Sequence, residues 1–125
     1  MRNILFWGIL LVAVFTACTK NPDVLVCFHN QTEKTIHSIV VNDYTLGTLK
    51  HGEKTKHISF ETFGIDGTVP DVSFTGTIDE KVLACTNRFL DCGTSKSTLK
   101  AGKYDVFIRI VSGDNEDYFD LYFEN

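Results

Sequence analysis

Lys103–Ser112 (KYDVFIRIVS) and Asp117–Phe123 (DYFDLYF), separated by Gly113-Asp114-Asn115-Glu116, decide the fold class. Both runs are rich in β-branched and aromatic residues, and the polar residues between them suit a turn, so the pair predicts a β-hairpin. The rest of the chain repeats that plan. Val24, Val26 and Phe28 alternate with Leu25, Cys27 and His29, the pattern of a strand covered on both faces. Asn30-Gln31-Thr32-Glu33-Lys34 then reads as a turn, Thr35–Val41 (TIHSIVV) as a second strand and Asn42-Asp43 as another turn. Tyr44–Lys50 is a weaker strand ending at His51-Gly52-Glu53. Lys56–Phe63 alternates with Ile58 and Phe60 on one face, Asp66-Gly67 breaks it, and Asp71–Ile78 follows with Val72, Phe74 and Gly76 in phase. Lys81–Cys92 reads as either a hairpin or a short helix. No segment past residue 23 sustains a 3.6-residue period over helical length. The expectation is an all-β, antiparallel fold of seven to eight strands.

The N-terminus has the three parts of a secretory signal: Arg2, the 11-residue apolar run Ile4–Val14, and small residues before a cysteine. From Ile4 to Ala17 the apolar stretch is 14 residues, short of the roughly 20 that a helical span needs. Phe15-Thr16-Ala17-Cys18 resembles a bacterial lipobox, with Phe15 where leucine is usual. That resemblance implies cleavage before Cys18, a diacylglyceryl thioether on its sulfur and an acylated new N-terminus. Two or three acyl chains, at about 0.8 kcal/mol per buried methylene, exceed what stable anchoring requires. The expected organisation is a lipoprotein signal peptide over 1–17, a lipidated tether over 18–23 and one domain over 24–125. Thr19 follows the cysteine where an aspartate would suggest inner-membrane retention, so the resemblance implies the outer membrane.

Losing residues 1–17 from 125 leaves 108, enough for one modest domain. Arg2 is the only charge lost, so 12 basic residues become 11 against 16 acidic ones, and the net charge moves from −4 to −5. Such a balance disfavours nucleic acid and gives no polybasic patch for anionic lipid. Ten Phe and four Tyr, with only two Pro, suit a compact aromatic core without long linkers.

Leu99-Lys100-Ala101-Gly102-Lys103-Tyr104 resembles the tyrosine corner of immunoglobulin-like and fibronectin type III sandwiches. It implies that Leu99 packs inward, Gly102 makes the turn and the Tyr104 hydroxyl bonds back to upstream backbone. The fold expected from it is an immunoglobulin-like β-sandwich. Leader and β pattern together resemble, in overall plan, the small envelope lipoproteins of Bacteroidota.

With Cys18 lipidated, Cys27, Cys85 and Cys92 remain, in a compartment that permits disulfides. Cys85 and Cys92 are the best couple, since the six residues between them can close as a hairpin; their bridge would contribute roughly 2.5 kcal/mol. Cys27, in an apolar strand, reads as a buried thiol. His29, His37, His51 and His57 fall within 29 residues, and His29 and His37 flank one turn. Neither C-x-x-C nor H-x-x-x-H spacing occurs, so no metal or cofactor is expected. Serines 38, 59, 73, 95, 97 and 112 lie outside any G-x-S-x-G context, and no nucleophile–base pair is legible.

The function expected on these grounds is non-enzymatic: a membrane-anchored module, held by the lipid on Cys18, that binds a protein or glycan. Tyr44, Phe63 and Phe89 are the candidate exposed aromatics. The alternative is a lipoprotein inhibitor or immunity protein that inserts the acidic loop Gly113–Asp117, with Asp114 and Asp117 foremost, into the cleft of a basic hydrolase or toxin.

Overall fold

The computed structural model describes residues 23–85 and 96–124. Among them are eleven strands and no helix: β1 (Val24–Asn30), β2 (Ile36–Val41), β3 (Tyr44–Leu49), β4 (Ile58–Phe60), β5 (Gly64–Asp66), β6 (Val69–Pro70), β7 (Phe74–Ile78), β8 (Lys81–Ala84), β9 (Lys96–Thr98), β10 (Gly102–Ser112) and β11 (Asp117–Phe123). They form two four-stranded sheets, ordered β11-β10-β1-β4 and β3-β2-β7-β8, and a small sheet ordered β6-β5-β9. The fold is therefore all-β and rich in antiparallel pairs. The count of seven to eight strands is corrected to eleven because the middle of the chain breaks into short pieces. Of the Lys56–Phe63 run only Ile58–Phe60 is a strand, and Gly64–Asp66 leaves β1 to pair with β6 and β9.

The uniformly antiparallel expectation is also corrected. β1 runs parallel to β10, with Val24 opposite Gly102 and Asn30 opposite Ile108. No turn joins the two strands, so nothing local in the chain announces the pairing. The β10–β11 hairpin forms as expected, its seven residue pairs running from Val106–Phe123 to Ser112–Asp117. The turn is closed by the Gly113 N–H donating to the Glu116 carbonyl at 2.8 Å.

The two larger sheets share one core. Phe28 from β1 and Phe119 from β11 meet Phe74 from β7, at ring-centroid distances of 6.3 Å and 5.1 Å respectively. All three rings are buried, as is Phe63, which packs against Phe28 and Phe60. Burying each such ring contributes about 1.5–3 kcal/mol, and tilted or edge-on aromatic pairs add roughly 0.5–1.5 kcal/mol. At Gly76 of β7, Ile36 from the neighbouring strand β2 and Phe119 from the other sheet both press on the backbone. A Cβ there would lie 2.6 Å from Cγ2 of Ile36 and 3.4 Å from the Phe119 ring.

A bulge at Ser38, whose φ is +50°, shifts the β2 register against both neighbours. Ile36 and Ile39 are three residues apart and would point to opposite faces of a regular strand. The inserted residue lets both, together with Val41, enter the core.

At the end of β1, buried Asn30 closes the edge of the core. Its Nδ2 donates to the carbonyls of Lys34 and Leu49, each at 2.9 Å, and its Oδ1 accepts from the Thr32 N–H at 2.9 Å and the Thr32 hydroxyl at 2.6 Å. Backbone bonds join Asn30 to Glu53 and Gly52 as well. One amide thus ties together β1, the 31–34 turn and the turn after β3.

Candidate functional site

Strand alternation places Cys27 and His29 on the face of β1 opposite the core residues Val26 and Phe28. The parallel register sets Asp105 of β10 beside Cys27 and Phe107 beside His29. The His29 Nε2 lies 2.8 Å from Asp105 Oδ1, with the His29 side chain 19% exposed and that of Asp105 54%. The imidazole stacks on Phe107 at 4.4 Å and 21°, so its plane is held by the ring beneath it. Phe107 in turn stacks on Tyr122 of β11 at 5.5 Å, and the Arg109 guanidinium sits 4.7 Å above the Tyr122 ring. Arg109 Nε also donates to Asp120 Oδ2 at 2.7 Å. A continuous row of rings and charges crosses the outer face of this sheet.

Cys27 is 3% exposed although it faces outward, because the segment before β4 runs along β1 and covers it. The Thr55 N–H donates to the Phe28 carbonyl, the Phe28 N–H donates to the Thr55 hydroxyl, and the Cys27 thiol donates to the Thr55 carbonyl at 2.9 Å. Ligand atoms of Cys27, His29 and Asp105 all lie within 4.8 Å of one another. The electrostatics oppose a nucleophilic role. Burial pushes the Cys27 thiol up, and the Asp105 carboxylate pushes it further, so the thiolate is disfavoured. Asp105 shifts the other way, its pKa lowered first by the hydrogen bond from His29. The thiol hydrogen points to Thr55 and the imidazole to Asp105. The hydrogen bonds of the cluster thus run from cysteine to Thr55 and from histidine to Asp105, and none joins the cysteine to the histidine.

A second feature lies at the tip of the β10–β11 hairpin. The tip of the β10–β11 hairpin and the edge strand β8 enclose a cavity of about 550 Å³, bordered by Asp114, Glu116 and Asp117 on one side and by Lys34, Asp79 and Lys81 on the other. Ile78, Leu83 and Ile110 supply apolar lining, and Val82 stands 74% exposed beside it. Asp79 and Glu80 form a two-residue turn with φ of +50° and +66°, between paired Ile78 and Lys81. The Asp79 carboxylate is bonded to Lys34.

The other expected site residues distribute as follows. Cys18 lies outside the described residues, as do Phe89 and Cys92, so the Cys85–Cys92 bridge falls partly beyond them. Cys85 follows β8, half-buried and without a disulfide partner among the described residues; burial pushes its thiol up, and its N–H donates to the Phe74 carbonyl. Leu99 packs against the core and donates its N–H to Phe63, Gly102 opens β10, and the Tyr104 hydroxyl donates to the Lys100 carbonyl at 2.8 Å. Asp114 and Asp117 are exposed. Phe63 is fully buried and is corrected from candidate contact to core residue, whereas Tyr44 is exposed. His29 and His37 do not converge, because β1 and β2 belong to different sheets. His51 instead bonds through Nδ1 to the Thr32 carbonyl. The Cys27–His29–Asp105 grouping was missed; its signal was the C-x-H spacing on one strand face, while Asp105 is 76 residues from His29. Compared with protein families, with curated proteins and with solved structures, the chain matches none.

Proposed function

We propose that the chain is a lipid-anchored protein of the bacterial cell envelope, held at the outer membrane through Cys18. Its immunoglobulin-like β-sandwich serves as a non-enzymatic binding module for a protein or glycan. The lipobox-like Phe15-Thr16-Ala17-Cys18 supports the anchor. Two four-stranded sheets around one core and the Tyr104–Lys100 bond support the sandwich.

The observation that carries the binding reading is the cavity between Asp114–Asp117 and β8. A concave site of this size, with apolar lining and a rim of both charge signs, suits recognition of an extended polar segment. Lys34 and Lys81 stand across from the acids, so a partner meets paired charges and not a bare acidic prong. That arrangement weakens the alternative of an acidic loop inserted into a cationic enzyme cleft.

Two measurements test the proposal. Cells fed a palmitate analogue label the wild-type protein and not Cys18→Ala; equal labelling of both, or of neither, refutes the anchor. Purified protein is then offered to an envelope glycan array and to envelope protein extracts. Saturable binding that falls at least tenfold in Asp114→Lys/Asp117→Lys supports the module. Binding indifferent to those changes refutes this cavity as the site, and capture of one basic hydrolase alone favours the inhibitor reading.

A further inference from the structure

We infer that Cys27, His29 and Asp105 bind one divalent transition-metal ion of the zinc class, with a fourth coordination position left open. The inference is independent of the binding cavity, which lies elsewhere on the fold.

Three observations lead to it. The three side chains come from two adjacent strands whose parallel register is fixed by seven residue pairs, so the ligands sit on rigid backbone. Their ligand atoms already lie within 4.8 Å of one another. Zinc–sulfur bonds of about 2.3 Å and zinc–nitrogen or zinc–oxygen bonds of about 2.0–2.2 Å put tetrahedral ligand atoms roughly 3.3–3.6 Å apart. The His29–Asp105 contact of 2.8 Å therefore has to open by only about half an ångström. The Cys27 sulfur, at most 4.8 Å from its partner atoms, has to close by up to about 1.2 Å, and side-chain torsions are the route to both changes.

A neighbouring ring acts as a support. Phe107 holds the imidazole plane by stacking. Sulfur, nitrogen and oxygen in one set select against calcium and magnesium, which take oxygen ligands. Charge also balances: a thiolate, a carboxylate and a neutral imidazole together neutralise a divalent cation. On binding, the Cys27 S–H bond breaks, its proton leaves to buffer and a sulfur–metal bond forms. Entry is from the Asp105 side, the exposed edge of the cluster. Three protein ligands leave one position for water or an incoming donor.

Cobalt(II) is the probe. The reduced full chain is titrated with cobalt(II) and followed by absorption, then back-titrated with zinc(II). The expected result is one equivalent bound, with a thiolate-to-cobalt charge-transfer band, the visible bands of four-coordinate cobalt, and displacement by zinc. The chain has four cysteines, so Cys18→Ser/Cys85→Ser/Cys92→Ser leaves Cys27 as the one thiol, and this variant is expected to keep the band. Cys27→Ser is expected to lose it. Because Cys27 is buried, that substitution can disturb folding; His29→Gln and Asp105→Asn, nearer solvent, are expected to weaken cobalt binding at least tenfold with an unchanged circular dichroism spectrum. A wild-type spectrum without the charge-transfer band overturns the inference. So does loss of the band in the triple variant, or wild-type affinity in both His29→Gln and Asp105→Asn.

Discussion

Replacing Asn30 with alanine removes four side-chain hydrogen bonds, two donated to the Lys34 and Leu49 carbonyls and two accepted from Thr32. Intramolecular hydrogen bonds contribute about 1 kcal/mol net, and a buried group left unpaired costs about 1–3 kcal/mol. The losses are unequal. With the amide gone, the single Thr32 hydroxyl proton turns to the Lys34 carbonyl 2.8 Å away, so one acceptor and one donor are rescued together. The Thr32 N–H and the Leu49 carbonyl lose the buried amide outright. Asn30→Ala is therefore expected to destabilise by about 3–5 kcal/mol, a third or more of a typical small domain's total stability. Asn30→Asp keeps the shape but turns an acceptor toward two carbonyls, so at neutral pH it is expected to cost at least as much. Acidification, by protonating the new carboxyl and restoring one donor, is expected to narrow that deficit relative to Asn30→Ala. Urea unfolding followed by far-UV circular dichroism measures both. A loss under about 1 kcal/mol for Asn30→Ala would refute the view that this amide holds the β1 end to the two turns.

Gly76→Ala is expected to cost about 1–3 kcal/mol, because the new methyl meets a buried, β-branched Ile36 that cannot swing aside. A double-mutant cycle with Ile36→Ala, read by urea unfolding, is expected to show the two losses less than additive; strict additivity would place the clash elsewhere. Glu80→Gly relieves a left-handed residue in the Asp79-Glu80 turn and is expected to stabilise by about 0.5–1 kcal/mol, read as a melting temperature raised by several degrees. Asp105 has a folded pKa below its unfolded one, so its contribution is present above the ordinary carboxylate pKa near 4 and is lost as pH falls through the lower folded value. In metal-free buffer, the wild-type and Asp105→Asn stability curves are therefore expected to run apart at pH 5–6 and to converge in acid; a gap that widens below the carboxylate range would reverse the assignment.

What could be read from the chain, and what could not, follows the distance over which each feature is specified. The β10–β11 hairpin was legible because its strands and turn are contiguous, and its polar Gly113–Glu116 segment punctuates two apolar runs. The β1–β10 ladder was not, since its paired residues lie 78 positions apart and a parallel pair has no turn to betray it. Ile36 and Ile39 held a fainter signal: two apolar residues at a spacing of three within a strand require a bulge if both are to be buried, and Ser38 supplies it. The ligand cluster shows the same division. Cys27 and His29, two apart in one strand, had to share a face. Asp105 could not be chosen from sixteen acids until the ladder placed it beside them. The topology that was hardest to infer is thus the one that assembles the chemistry. A register slip of one residue between β1 and β10 would put Tyr104 or Val106 opposite Cys27 and turn Asp105 away from the cluster. Because the inner face of the same strands buries Val26, Phe28, Val106 and Ile108, core packing forbids that slip and holds the three ligands together.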